Sequence, residues 1–134
     1  MSEFVLHPRL AADTTFVTDW ALCRVLLMND ARYPWLVLVP REPRKSEYHD
    51  LNNSEAGVVM DEIRRASVGL KLVTGCARTN IGILGNLVPQ LHIHVVARNA
   101  GDPAWPGPVW GHSPAVPYEP SVREALIARL LNAC

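Results

Sequence analysis

The stretch Gln90-Leu91-His92-Ile93-His94-Val95-Val96-Ala97-Arg98 reads as one strand with chemistry on a single side. Successive side chains of a β-strand point to opposite faces. Leu91, Ile93, Val95 and Ala97 are therefore predicted to form a hydrophobic face, with Gln90, His92, His94 and Arg98 projecting from the other. Same-face neighbours stand ~6.6 Å apart along a strand, near enough for two imidazoles and an amide to grip one phosphoryl group. Taken alone, the His-x-His pair leaves several readings open. Two histidines on an exposed strand face need no partner. They could donate two ligands to a metal with His112 as a third, although no CxxC and no nearby Asp or Glu completes the set. One imidazole could instead attack phosphorus.

The flanking sequence supplies the rest of a sheet. Trp35-Leu36-Val37-Leu38-Val39 is a short apolar run bracketed by Pro34 and Pro40, which suits proline's exclusion from the interior of a ladder. Thr15 to Asp19 and Ala21 to Met28 are earlier runs rich in Val, Leu, Thr and Phe, closed by the turn signal Asn29-Asp30. From Ser54, the residues Ala56, Met60, Ile63, Ala66, Leu70 and Val73 recur in steps of three or four. They predict one long helix with Asn52, Asn53 and Ser54 as capping candidates and an end near Thr74-Gly75. Strands at Asn80 to Leu84 and Leu91 to Arg98 follow, and a second helix from about Pro120 to Asn132 is expected to turn Val122, Leu126 and Leu130 inward. Strands, helix, strands, helix is the order of an α+β domain: a mostly antiparallel five-stranded sheet with two helices packed on it.

A chain of 134 residues is too short for two ordinary cores, so residues 1–134 are expected to form a single domain, its core about 15–100, with a Pro/Trp-rich tail and the last helix over 101–134. Apolar residues make up 49% and charged residues 19%, enough for a packed core. Thirteen Lys plus Arg balance thirteen Asp plus Glu, so no general positive field draws the chain to nucleic acid or to an anionic membrane. Apolar runs fall short of the ~18 residues a membrane span requires. Cys23, Cys76 and Cys134 are odd in number and widely spaced, the pattern of reduced thiols in a cytoplasmic protein and not of a disulfide framework.

The wider pattern resembles the histidine triad superfamily, marked by His-x-His-x-His on the last strand of its sheet. The resemblance runs from roughly Asp19 to Trp110. It includes Gly85-Asn86 ahead of Gln90, the strand ending Val39-Pro40-Arg41, the helix between them, and Trp105-Pro106 downstream. It implies an HIT-like fold and a nucleotide hydrolase or nucleotidyltransferase needing no metal and no cofactor. His92 would take the central position, attacking an α-phosphorus and becoming transiently nucleotidylated. Physically, a hydrogen bond from its other ring nitrogen to a backbone carbonyl would fix the tautomer with the free lone pair. His94 would donate a proton or hydrogen bond to the phosphate or leaving group.

Two positions depart from the pattern. Gln90 stands at the first triad position, where an amide has no proton to give near neutral pH. Trp35 stands where many relatives carry a further histidine. For the nucleotide, the resemblance points to Asn29 at the ribose, Leu36 at the base, Asn80 and Asn86 on the phosphate side, and Trp105 over the pocket. Arg98, at the strand end, reads as a solvated arginine. A homodimer is expected, two sheets pairing edge to edge with the Trp-rich tail reaching the partner's site.

Overall fold

The computed structural model describes residues 3–134. Five strands, β1 (Thr14–Asp19), β2 (Cys23–Met28), β3 (Trp35–Pro40), β4 (Arg78–Gly82) and β5 (Ile93–Arg98), form one sheet in the order β1-β2-β3-β5-β4. Every neighbouring pair is antiparallel. Three helices accompany it, not two: α1 (Pro8–Asp13), α2 (Asn53–Thr74) and α3 (Pro120–Ala133), with a 3-10 turn at Tyr48–Asp50. The first escapes a periodicity search because six residues are too few to show a repeat. It is held by His7, whose Nδ1 accepts the Arg9 N–H at 3.1 Å, and by Pro8 in its first turn.

Helix α2 starts on a capping box. Asn52 Oδ1 accepts from the Glu55 N–H while Glu55 Oε1 accepts from the Asn52 N–H, both at 2.8 Å. It stops at Gly75, whose φ of 66° lies in the left-handed region that glycine enters freely. Its buried side is formed by Val59, Ile63, Ala66 and Leu70. Met60, counted in the expected stripe, is exposed, as is Val122 of α3, whereas Leu130 is buried. Glu62 also lies on the buried side, where its carboxylate accepts the backbone N–H groups of Leu22 at 3.2 Å and Cys23 at 2.7 Å, tying the β1–β2 turn to the helix.

Alternation along the strands divides the interior in two. Leu36 and Leu38 of β3 join Ile93, Val95 and Ala97 of β5 in a core roofed by α2 and α3. Trp35, Val37 and Val39 face the other way with Val96, and there they meet Leu10 of α1 and Ala104 and Val109 of the segment after β5. Full burial of a Val, Leu or Ile side chain contributes about 1.5–3 kcal/mol, so both layers hold β3 and β5 in place. The face of β5 that carries the histidines is thus covered, which removes the reading of an exposed strand face. Strand pairing begins at Ile93 and not at Leu91, because the Leu91 N–H is donated to the Lys45 carbonyl at 2.8 Å, outside the ladder.

Candidate active site

His92 sits just before β5 and is 6% exposed. Its Nδ1 lies 2.7 Å from the Gln90 carbonyl oxygen. A carbonyl only accepts, so Nδ1 carries the proton and Nε2 keeps a free lone pair. The ring lines a cleft of about 290 Å³ together with His94, Asn86, Leu10, Met28 and Arg9. The floor comes from the sheet and the far wall from α1 and the Leu84–Val88 loop.

His94, two residues on, has its ring centroid 5.0 Å from that of His92. Its Nδ1 accepts the indole N–H of Trp35 at 3.0 Å. An indole nitrogen only donates, so the neutral His94 ring carries its proton on Nε2. Burial, reinforced by the adjacent His92, pushes its pKa down to about 4, and the ring is neutral at pH 7. His94 therefore offers a fixed N–H donor and not an imidazolium acid. Trp110 completes the enclosure, its ring edge-on to His94 at 5.6 Å and to Trp35 at 6.4 Å. Gly82 makes room for it, since a Cβ at that position would lie 2.8 Å from the indole.

Gln90 does not share the cleft. Its Oε1 accepts the His7 N–H at 2.8 Å and its Nε2 donates to the Val5 carbonyl at 2.9 Å, so both ends of the amide hold the N-terminal segment. The remaining expected nucleotide contacts divide in the same way. Asn86 is in the cleft with the two histidines. Asn29 is not: its Oδ1 accepts the Tyr118 N–H at 2.9 Å and secures the approach to α3. Asn80 accepts from Arg98 at 2.8 Å. Leu36 points into the helix-covered core, on the other side of the sheet. Trp105 lies over the Arg98 guanidinium, 5.6 Å from its ring centre.

Arg98 is buried, contrary to the expected solvated arginine. It makes a two-pronged pair with Asp102 at 2.7 and 2.9 Å and reaches the Gly107 carbonyl at 2.9 Å. The guanidinium holds the Asp102 carboxyl below the usual carboxylate range. This knot folds the Pro/Trp-rich tail back on its own chain and places Trp110 beside His94. The Asp30–Arg32 pair at 2.8 Å adds a second anchor through the Arg32 bond to the Ser113 carbonyl at 3.1 Å. Sequence reasoning missed Trp35 as a partner of His94 and Arg9 as a cleft residue. The antiparallel register signals the first, since Trp35 and His94 lie on the same face of adjacent strands. Among the described residues no three His, Cys, Asp or Glu side chains are grouped to hold a metal, and His112 is exposed.

A five-stranded antiparallel sheet with paired histidines lining a cleft defines an α+β protein of the histidine triad type. Residues 9–101 match the HIT domain family, and the chain belongs to it. The fold closely matches a histidine triad protein from Sinorhizobium meliloti, with 41% identity, a TM-score of 0.96 and coverage of 98% of this chain and 97% of that one. Histidine triad proteins from Bradyrhizobium japonicum and Marinobacter aquaeolei are each 44% identical with TM-scores of 0.95, over 98% of this chain and 98% and 96% of theirs. No curated protein sequence matches the chain. No helix among the described residues is long and apolar enough to cross a membrane.

Proposed function

We propose that the protein is a nucleotide hydrolase or nucleotidyltransferase that cleaves a phosphoanhydride or phosphoramidate bond at the α-phosphorus of a purine nucleotide through a nucleotidyl-His92 intermediate. The observation that carries this is the 2.7 Å bond from His92 Nδ1 to the Gln90 carbonyl, which leaves Nε2 as the nucleophilic nitrogen of a ring lining the cleft. His94 Nε2–H supports the phosphoryl oxygens as charge develops, and Asn86 is the cleft's amide contact to the nucleotide. Incubation with adenosine 5′-phosphoramidate and diadenosine tetraphosphate tests it. Wild type is expected to release AMP from at least one of them, and equal background release by wild type and His92→Ala overturns the assignment.

A second reading, a nucleotide-binding module with weak or no turnover, is favoured by one observation: neither Gln90 nor His94 is available as a titratable acid. Calorimetry separates the two, since AMP binding without cleavage of either substrate supports the module.

The same family reading makes the protein a homodimer joined through the free β4 edge of the sheet, where Ile81 of the strand and Ile83 and Leu84 just after it are exposed. Light scattering that gives a monomer at micromolar concentration refutes this. A cytoplasmic, reducing location agrees with three free cysteines, of which Cys23 and Cys76 are buried. Fewer than three titratable thiols in the freshly isolated, denatured chain would count against it.

A further inference from the structure

Gln90 occupies the first motif position but is spent entirely on residues 5 and 7. That engagement leads by two hydrogen bonds to the cleft. Gln90 Oε1 accepts the His7 N–H at 2.8 Å, and His7 Nδ1 in turn accepts the Arg9 N–H at 3.1 Å, opening α1 so that Arg9 stands on the cleft wall. Among the side chains lining that cleft, Arg9 is the one permanent cation and Asp13 the one carboxylate. The two approach only to 3.8 Å, with side chains 61% and 54% exposed. A pair this open holds its members weakly, so the guanidinium is free to take a better anion.

We propose, resting on the reading above, that Gln90 is a positioning residue for Arg9, and that Arg9 binds the anionic leaving group of the substrate as it departs from the α-phosphorus. The need for such a cation follows from the neighbouring ring. With Trp35 donating to its Nδ1, His94 has no extra proton to hand over. The leaving group must then depart unprotonated. His92 Nε2 attacks, the N–P bond forms, and the P–O bond to the leaving phosphate breaks with its electron pair kept on that oxygen. Arg9 meets the added charge. Water next attacks the nucleotidyl-His92, gives its hydroxyl to phosphorus and its proton to solvent, and restores the imidazole. A phosphoanhydride satisfies this sequence, because a phosphate leaves as an anion. A phosphoramidate does not, because an amine leaves only after gaining a proton.

The test compares diadenosine tetraphosphate with adenosine 5′-phosphoramidate on wild type, Arg9→Ala, Arg9→Lys, Gln90→Ala and the double variant. Charge-assisted hydrogen bonds of this kind are worth roughly tenfold to a hundredfold. Wild type is expected to cleave the tetraphosphate and to leave the phosphoramidate near background, Arg9→Ala to lose about that much kcat/KM on the tetraphosphate, and Arg9→Lys to recover part of the loss. Gln90→Ala should lose in the same direction and raise hydrogen exchange at residues 5–10. In the double variant it should add nothing to Arg9→Ala, the mark of a residue acting through another. No loss in Arg9→Ala, additive losses, unchanged exchange in Gln90→Ala, or cleavage of the phosphoramidate as readily as the tetraphosphate would each overturn the inference while leaving the nucleotide reading intact. Cleavage of neither substrate by wild type overturns both.

Discussion

Acidification isolates the work done by the enclosure around His94. In the unfolded chain this histidine titrates near 6.5, whereas in the fold burial and the His92 ring lower it to about 4. Between those values the unfolded state binds a proton that the folded state refuses. Stability is therefore full above pH 6.5 and declines as pH falls toward 4. The full differential is about 3 kcal/mol, of which about 2 kcal/mol is lost between pH 7 and pH 5, where most carboxylates remain ionised. Urea denaturation at pH 7, 6 and 5 measures it, with His94→Gln as the reference that cancels every other titrating group. Wild type should lose about 2 kcal/mol more than the variant over that interval. Trp35→Phe removes the donor to Nδ1 and should move the NMR titration of the His94 ring up toward its ordinary value. Parallel stability curves for wild type and His94→Gln, or a His94 ring titrating near 6.5 in the wild type, would refute the enclosure as described.

Two further substitutions probe the supports. Arg98→Met strands the Asp102 carboxylate and the Gly107 carbonyl, and loss of one partner of a buried pair costs about 3–5 kcal/mol. It should lower the denaturation midpoint and raise Trp110 fluorescence accessibility to quenchers, and an unchanged midpoint would contradict the anchoring role. Glu62→Ala leaves the N–H groups of Leu22 and Cys23 without their acceptor, at about 1–3 kcal/mol each, visible in chemical denaturation, with a loss under about 0.5 kcal/mol counting against it.

The sheet was legible because β5 alternates locally and β3 is an apolar run closed by prolines, and α2 because its apolar residues recur every three or four positions between Asn52 and Gly75. Met60 and Val122 were misplaced because a repeat defines a stripe and not which flank of it meets the neighbouring layer. For His92 the sequence suggested only that some backbone carbonyl would fix the ring, and the fold supplies the one two residues back at Gln90. What stayed hidden were the bonds that close across the chain. Gln90 meets His7 over a separation of 83 residues, and Asn29 meets Tyr118 over 89. Both read as site residues on their own, and only the folded topology shows that their polar groups are already taken. Arg98 misled for the same reason: its strand-end position suggested solvent, but the turn that follows brings Asp102 back onto it.

The tail between β5 and α3 also travels from one face of the sheet to the other. Val109 packs in the layer beside the histidines, and Tyr118 packs in the opposite layer beneath the helices. Crossing the sheet in this way makes it a belt with a buckle on each side. One buckle is the Arg98–Asp102 pair near Trp110, the other the bond from the Tyr118 N–H to Asn29 ahead of α3. One segment of chain thus joins the wall beside His94 to the approach of the C-terminal helix.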